Sequence, residues 1–320
     1  MSIYLPARFQ DEKGESKKLA DSLIYMVKSI CEEHPDKFEV AYNADDLPRI
    51  FNQQKIALPM GMENGSGIED DLSNILHFKK AGISYITLTH SKDNLICDSS
   101  YDTTGTWQGL SPFGKEVVLE MNKVGIMVDV SHISDKTFYQ VMKLTQVPTI
   151  ASHSSCRKFI PDFERNMSDD MIKKMGENGG VIMINFGSTF IDEQVRKDRE
   201  MYRKKMTEYL KERDLTFTDE ASKAHIEDFK KEHPAPFSDI KVVADHIDHV
   251  VKIAGVDHVG FGSDFDGVGD TLPTGLKDVG DFPNLIAELL RRGYKVEDIQ
   301  KICSGNLLRV WKAVEVNAGL

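Results

Sequence analysis

Two histidines close short apolar runs of the chain, and their side chains can bind a metal or transfer a proton. His132 ends the stretch "IMVDVSH", and His153 ends "TIASH" 21 residues later. This separation accommodates one helix and the next strand, so both imidazoles are expected to project from adjacent strands into one mouth. Imidazole nitrogen is a ligand that Zn²⁺ accepts readily.

Three more polar residues occupy the same place at the ends of other apolar runs. Glu63 follows "IALPMGM", His90 follows "YITLT", and Asp264 follows "HVGFGS". A single histidine in such a position is more often a hydrogen-bonded core residue than a ligand. Five carboxylate and imidazole groups at equivalent positions favour a metal site, because these are the oxygen and nitrogen donors of zinc proteins.

Carboxylates and arginines near these positions offer further chemistry. In "GSDFDG", Asp264 lies nearer the strand end and is the better candidate for a metal ligand or a proton-transfer group, whereas Asp266 is expected to shape the loop. Arg157 and Arg165 follow the strand that delivers His153, and a guanidinium suits the carboxylate of a substrate. From spacing alone, a salt bridge at the edge of the loop explains these arginines equally well.

Two other histidines are interpreted as structural. His246 and His249 lie three residues apart in the helical segment "VVADHIDHVVKIAG". Their spacing is compatible with a metal site, but no other feature of the sequence supports one. We expect both side chains to satisfy local contacts.

The candidate residues require a scaffold in which several strand ends meet. Amphipathic helical segments lie between the apolar runs, and several close on a glycine, as at Gly82 and Gly125. This alternation predicts an α/β fold with a parallel sheet covered by helices, either an open doubly wound sheet or a (β/α)8 barrel. The seven predicted strands lie in "SIYLP", "IALPMGME", "YITLTH", "IMVDVSH", "TIASH", "VIMINF" and "HVGFGSD".

The polar strand ends favour a TIM-type barrel, because in that fold the C-terminal ends of many strands converge on one mouth. A barrel needs eight strands, and seven are predicted, so this chain is expected to lack the first one. The strongly charged residues 192–233 are predicted to form a solvated helical insertion on a barrel loop rather than a binding tail. Residues 1–320 are predicted to form a single domain.

Composition limits the classes of partner. The formal net charge is -11 and the isoelectric point about 5.4, which argues against nucleic acid or anionic lipid as a principal partner. No run is long and apolar enough to be a membrane segment, and the N-terminus lacks the pattern of a signal peptide. Four cysteines without a CxxC pair suit a reducing compartment, so the chain as given is expected to be cytoplasmic.

Taken together, the motifs resemble the membrane dipeptidase family, also called renal dipeptidases, which are zinc-dependent (β/α)8 barrels of the amidohydrolase type. The resemblance covers essentially the whole chain, and its motifs occur in the right order. They are "MGMENG", "ITLTHSKDN", "GLSPFGKEVVLEMNKVGIMVDVSHISD", "IASHSSCR", "RNMSDD", "VGFGSDFDGV", "LIAELLRRGY" and "NLLRVW".

The resemblance implies a metal centre. By position, Glu63 is similar to the carboxylate that bridges two zinc ions in the family, and His132 and His153 are similar to the other ligands of one of them. Asp264 resembles the aspartate beside the second metal, which relays protons. These roles come from the resemblance and not from the spacing.

The resemblance also implies substrate contacts and an activity. His90 matches the histidine that polarises the scissile peptide group, and Arg165 matches the arginine that contacts the substrate carboxylate. The implied function is hydrolysis of dipeptides by a metal-activated hydroxide. Family members are often dimers, so a homodimer is implied as well.

One part of the family pattern is missing. The family carries an H-x-D pair on its first strand, but the only histidine before Glu63 is His34, in "CEEHPDKF". We therefore expect an upstream strand to be absent from this sequence, so that one metal ion or none is held instead of two and hydrolysis is impaired. On this view an export signal is also absent, and the natural protein is exported.

Two alternatives remain open at this stage. One is a non-catalytic barrel that binds peptides or a partner protein through a partial metal site. The other is an amidohydrolase that acts on cyclic amides or esters. Retention of Glu63, His132, His153, Asp264 and Arg165 argues against the first alternative. The second would be favoured if Arg165→Ala left activity on dipeptides unchanged.

Overall fold

A computed structural model describes residues 1–320, and its centre is a parallel sheet of seven strands. A second sheet pairs two short strands in parallel. The strands are β1 (Ser2–Tyr4), β2 (Phe38–Val40), β3 (Ile56–Leu58), β4 (Met60–Glu63), β5 (Ile83–Thr87), β6 (Met127–Asp129), β7 (Ile150–Ala151), β8 (Val181–Asn185) and β9 (Val259–Ser263).

The order of strands in the large sheet is β1-β4-β5-β6-β7-β8-β9. Each new strand along the chain joins the same edge of the growing sheet. The strand order therefore lacks the reversal that defines a doubly wound sheet. The seven predicted strands and the barrel-type order are therefore confirmed. Strands β1 and β9 are the two edges and do not pair with each other, so an eighth strand is absent from the sheet.

The run "IALPMGME" differs from the prediction, because it contains two strands instead of one. Strand β3 pairs with β2 in the small sheet, and β4 pairs with β1 and β5 in the large sheet. Pro59 lies between them and has no backbone N–H to donate, so it interrupts the ladder.

Helices connect consecutive strands of the large sheet and cover it. None of them combines the length and apolar character needed to cross a membrane. Their bounds are α1 (Glu15–Glu33), α2 (Asp46–Asn52), α3 (Ser73–Ala81), α4 (Pro112–Val124), α5 (Asp135–Leu144), α6 (Asp169–Glu177), α7 (Ser188–Ile191), α8 (Glu193–Lys211), α9 (Ser222–Glu232), α10 (Ile240–Ala254), α11 (Phe282–Arg291), α12 (Val296–Gln300) and α13 (Asn306–Asn317).

Local sequence explains where these helices begin and end. Ser111, Ser134 and Ser168 precede α4, α5 and α6, and each hydroxyl accepts a hydrogen bond from a first-turn N–H. Gly82 and Gly125 end α3 and α4 with φ angles of 107° and 79°, which a residue with a Cβ atom adopts only with strain. Each cap places the following strand or loop at a defined point on the sheet.

The core lies between the sheet and its helices. A cluster of 48 buried apolar residues includes Phe78, Phe138 and Phe186, all with no exposed surface. Every residue of β6 is buried, including the charged Asp129. The core therefore fixes the strand ends rigidly.

The charged segment 192–233 forms α8 and α9, as predicted for a helical insertion. The two helices pack through Phe229, whose ring lies 5.5 Å from Tyr202 and 5.1 Å from Tyr209. Asp192 immediately precedes α8, and its carboxylate accepts from two backbone N–H groups of the first turn.

Candidate active site

Three of the predicted ligands meet at the C-terminal ends of the strands. Glu63 ends β4, whereas His132 and His153 follow β6 and β7. Glu63 Oε1 lies 3.4 Å from His132 Nε2 and 3.3 Å from His153 Nε2, and the two nitrogen atoms are 2.8 Å apart. Residues that are far apart in sequence thus present one oxygen and two nitrogen atoms to a common point.

This triangle fits a metal ion. Ligand atoms about 2.0–2.2 Å from a tetrahedral zinc ion stand roughly 3.3–3.6 Å from one another. The two edges that involve Glu63 match this spacing, and the edge between the two imidazoles is shorter. The donor set of one carboxylate and two imidazoles is also one that zinc accepts.

His90 joins the cluster from the loop after β5. Its Nε2 atom lies 3.5 Å from Glu63 Oε1, and its ring is 4.2 Å from the ring of His132. The ligand atoms of Glu63, His90 and His132 all lie within 4.8 Å of one another. Burial lowers the pKa of His90 to about 4, so this imidazole is neutral at neutral pH.

The electrostatics of the cluster suit metal ligands. Burial alone would raise the pKa of Glu63, but His153 and His132 hold it well below its ordinary value. Burial, reinforced by the charge of Arg165, keeps the pKa of His132 well below its usual range. Burial would also lower the pKa of His153, but the Glu63 carboxylate outweighs it and the pKa is raised. A proton and a metal cation therefore compete for the Nε2 atom of His153 beside Glu63.

The buried carboxylate of Asp129 orients the His153 ring through Ser152. Ser152 Oγ donates to Asp129 Oδ2 over 2.6 Å and lies 2.7 Å from His153 Nδ1. Asp129 Oδ1 also accepts from the backbone N–H groups of Ser131 and Ser152. Since Nδ1 is engaged by the serine, Nε2 is the atom directed at Glu63, which is how an outer hydrogen bond orients a metal ligand.

The sequence prediction missed Asp129 and Ser152. A charged residue inside the otherwise apolar run "IMVDV" is the signal that marks Asp129, because a buried carboxylate must be satisfied by several donors. Apart from the adjacent Ser131 N–H, its donors lie on β5 and on the segment after β7, and no local pattern identifies those donors.

Backbone strain also marks the site. His132, Asp264 and Asn64 have φ angles of 69°, 63° and 87°, a region that residues other than glycine rarely adopt. These residues follow β6, β9 and β4, at the C-terminal ends of the strands. Such conformations cost of order 1–3 kcal/mol each and concentrate at functional sites.

Asp264 lies at the same end of the sheet but does not contact Glu63, His132 or His153. Its Oδ2 atom accepts a 2.8 Å hydrogen bond from Asn185 Nδ2. Burial raises the pKa of Asp264, and the charge of Glu63 acts in the same direction. Asp266 is exposed on the following turn and takes no part in the cluster.

The two arginines of the loop after β7 have different roles. Arg157 forms a bidentate pair with Asp135, at 2.6 and 2.7 Å. This is the salt bridge that the sequence allowed as the alternative to binding a substrate carboxylate. Arg165 is buried and enters the site, where Nη2 lies 3.1 Å from His132 Nε2 and 2.8 Å from the backbone oxygen of His153. A metal at His132 Nε2 would require Arg165 to give up the first contact.

The remaining histidines are structural, as predicted. His246 Nδ1 accepts from the backbone N–H of Cys156, and its Nε2 donates to the oxygen of Ile191. His249 Nε2 lies 2.8 Å from a carboxylate oxygen of Asp169, in the first turn of α6. Both side chains brace α10 against neighbouring elements.

Comparison with known proteins points to one family. A family model described as "Membrane dipeptidase (Peptidase family M19)" matches residues 1–319. Dipeptidase tcpJ of Claviceps purpurea is 35% identical over 292 residues, with 91% of this chain and 59% of the relative aligned. Dipeptidase 3 of Mus musculus is 30% identical over 318 residues, or 98% of this chain and 55% of the relative. The chain thus spans about three fifths of the length of the curated relatives it matches.

Solved structures share the fold. The probable dipeptidase PvdM from Pseudomonas aeruginosa superposes with a TM-score of 0.81 at 28% identity, covering 98% of this chain and 82% of the other. A metallo peptidase from Rhodobacter sphaeroides, liganded with a phosphinate mimic of the dipeptide L-Ala-D-Ala, gives a TM-score of 0.79 at 22% identity, with 98% and 86% covered.

Proposed function

Because this chain belongs to the membrane dipeptidase family, peptidase family M19, we propose that it hydrolyses the peptide bond of dipeptides at the cluster described above. The observation that carries this proposal is the convergence of Glu63, His132 and His153 on one point, with all three distances at or below 3.4 Å. Neither a peptide-binding barrel nor a purely structural network needs a carboxylate and two imidazoles aimed at each other in this way.

We propose that Glu63, His132 and His153 hold a zinc ion. When bound, zinc supplies Lewis acidity toward a carbonyl oxygen and lowers the pKa of a coordinated water. Glu63 directs Oε1 at the imidazoles, while its Oε2 accepts a 3.0 Å hydrogen bond from Ser2 Oγ. This environment of Glu63 favours a single ion at the cluster.

The other residues bind the substrate and move protons. His90 is neutral and stands beside Glu63, so it can donate a hydrogen bond to the oxygen of the scissile peptide as negative charge develops there. Arg165 offers a buried guanidinium for the substrate carboxylate. Asp264 has a raised pKa, which suits a group that accepts a proton from water and passes it to the leaving amine.

The proposal is tested by hydrolysis of Ala-Ala before and after addition of zinc to chelator-treated protein. We expect turnover that requires zinc and falls at least a hundredfold in Glu63→Gln and His153→Gln. His77→Gln, which replaces an exposed histidine paired with Asp21, serves as the matched control. Zinc-independent turnover, or no turnover of any dipeptide with zinc present, would contradict the proposal.

A further inference from the structure

Arg196, in the first turns of α8, is an arginine without an acidic partner. Its guanidinium carbon lies 3.7 Å from the centre of the Phe163 ring, which holds the side chain in place. The side chain makes no ion pair with any of the four carboxylates of α8. It is partly buried, so an anion bound there would be less screened by water than on the open surface.

Three carboxylates near Arg196 have other partners, and the exposed Glu200, four residues along the helix, forms no ion pair with it. Asp192 caps the helix and accepts from Ser238 Oγ, Glu193 pairs with Lys197, and Asp198 accepts from Gln194. Helix α8 carries seven basic and four acidic residues, so a guanidinium without an ion pair there is available for an external anion.

A row of aromatic rings connects Arg196 with the candidate active site. Phe163, on which Arg196 stacks, lies 6.3 Å from Tyr101, and Tyr101 lies 6.0 Å from the ring of His132. On the other side, Phe163 lies 5.8 Å from Phe190.

Arg165 belongs to the same wall of the site. Its guanidinium carbon lies 5.8 Å from the ring of Phe190, the neighbour of Phe163. The charges of Arg165 and Arg196 both act to lower the pKa of Tyr101, although burial raises it overall. Both guanidinium groups therefore act on Tyr101, whose ring lies near His132, and the rings of Phe163 and Phe190 lie between them.

We infer that Arg196 forms a second anion subsite, which binds the side-chain carboxylate of a C-terminal aspartate or glutamate while Arg165 binds the main-chain carboxylate. The preferred substrates are thus dipeptides that end in an acidic residue. This inference rests on the proposed function for its substrate, but the subsite itself is a feature of binding and does not require turnover. It assigns the charged insertion a role in specificity.

The test compares Ala-Glu with Ala-Gln, which differ only in a carboxylate and an amide. Their affinities for the chelator-treated protein are measured by calorimetry, where no hydrolysis interferes. We expect Ala-Glu to bind about tenfold more tightly, as for a hydrogen-bonded pair of charges. In Arg196→Met, which keeps an unbranched stem against Phe163, the two dipeptides should bind equally, and Arg196→Lys should restore part of the preference.

Arg203→Met is the matched control, because Arg203 is exposed on the same helix. This variant should keep the tenfold preference. Equal binding of the two dipeptides by the unchanged protein, or a preference that survives in Arg196→Met, would overturn the inference.

Hydrolysis of both dipeptides with zinc present separates the two proposals. A binding preference for Ala-Glu without turnover of either dipeptide would contradict the proposed function and leave the anion subsite standing. Turnover of both at equal kcat/KM, with equal binding, would contradict the subsite and leave the proposed function standing.

Discussion

At the scale of residues, the proposed metal site depends on how each proposed ligand is held as well as on which ligands are present. His153 is oriented through Ser152 by Asp129, a carboxylate with no exposed surface that accepts hydrogen bonds from three neighbouring segments. Because the serine engages Nδ1, only Nε2 is free to bind a metal. The buried carboxylate thus determines which nitrogen of the imidazole faces Glu63.

Replacing Ser152 by alanine should weaken zinc binding. The variant removes the hydrogen bond that fixes His153 without touching a ligand, and loss of such an outer contact lowers metal affinity by about tenfold or more. Competition with a chromogenic chelator measures the affinity. Ser84→Ala removes another buried hydroxyl, bonded to the backbone oxygen of Met60, and should leave the affinity unchanged. Equal weakening in both variants would show a general packing effect instead.

Replacing Arg165 by methionine tests its role in binding the substrate carboxylate. The unchanged protein should hydrolyse Ala-Ala with a kcat/KM at least tenfold above that for Ala-Ala amide, which lacks the carboxylate. In the variant this ratio should approach unity, because the recognising charge is gone. A ratio that is unaffected by the substitution would favour an amidohydrolase that acts on other amides or esters.

At the scale of elements, the loops after the strands are stabilised by contacts that the sequence does not reveal. The loop that carries Arg165 is closed by two backbone hydrogen bonds between its ends, from Arg157 N–H to Met167 O and from Met167 N–H to Ser155 O. The pair between Arg157 and Asp135 then ties this loop to the start of α5. Arg165 is therefore held by the neighbouring strand-to-helix connection.

Replacing Asp135 by asparagine should loosen this loop. Loss of the bidentate pair is expected to lower the free energy of local opening by roughly 1 kcal/mol, which corresponds to about fivefold faster amide exchange. Hydrogen exchange at residues 157–167 measures the effect. Lys123→Met breaks an exposed ion pair with Glu120 and should leave exchange there unchanged, since such pairs contribute little. Unchanged exchange in Asp135→Asn would contradict the anchoring role.

His246 makes the packing of α10 sensitive to pH. Burial lowers its pKa to about 4, and both nitrogen atoms are used in the neutral form. The unfolded chain has a histidine pKa of about 6.5. Above that pH the stabilisation is fully present, and as the pH falls from about 6.5 to 4 the unfolded chain takes up a proton that the native chain resists.

The free energy of unfolding should therefore decrease by about 3 kcal/mol over that range through this residue. Urea unfolding of the unchanged protein and of His246→Gln, between pH 7.5 and 4.5, measures it. The variant should be less stable at pH 7.5 but show a flatter dependence on pH. Substitution of the exposed His34 by glutamine provides the control, and identical slopes for His246→Gln and the unchanged protein would contradict the assignment.

The sequence predicts much of the fold and part of the site. Apolar runs that end on His90, His132, His153 or Asp264 identify strands, because a buried strand and a polar C-terminal end are both local signals. The side-chain partners of Asp129 are not local, so its role emerges only when β5, β6 and β7 are assembled. The same holds for Arg196, whose charged helix resembles any solvated helix until Phe163 is placed against it.

At the scale of the whole molecule, the sheet brings together the proposed ligands from separate strands. Glu63 ends β4, and His132 and His153 follow β6 and β7 of the same sheet, which ends at the unpaired edges of β1 and β9. In the unfolded chain these three residues are far apart and do not form a common site. A metal that binds all three of them in the native state must therefore stabilise the folded sheet.

Zinc should therefore raise the thermal midpoint of the chain. At a zinc concentration a hundredfold above Kd, the added free energy of unfolding is about 2.7 kcal/mol, which corresponds to an increase of roughly 5 °C in Tm for a protein of this size. Scanning calorimetry with and without zinc measures the shift. Glu63→Gln should abolish most of it, and a shift of equal size in that variant would place the metal elsewhere.

The most direct test of the account is zinc content per chain, measured by elemental analysis after dialysis, together with hydrolysis of Ala-Ala by the same sample. We predict one zinc ion per chain in the unchanged protein, little in a variant that combines Glu63→Gln with His153→Gln, and turnover that follows the zinc content. A chain that retains no zinc and hydrolyses no dipeptide, or a double variant that retains both properties, would contradict the central claim that Glu63, His132 and His153 form the metal centre of a dipeptidase.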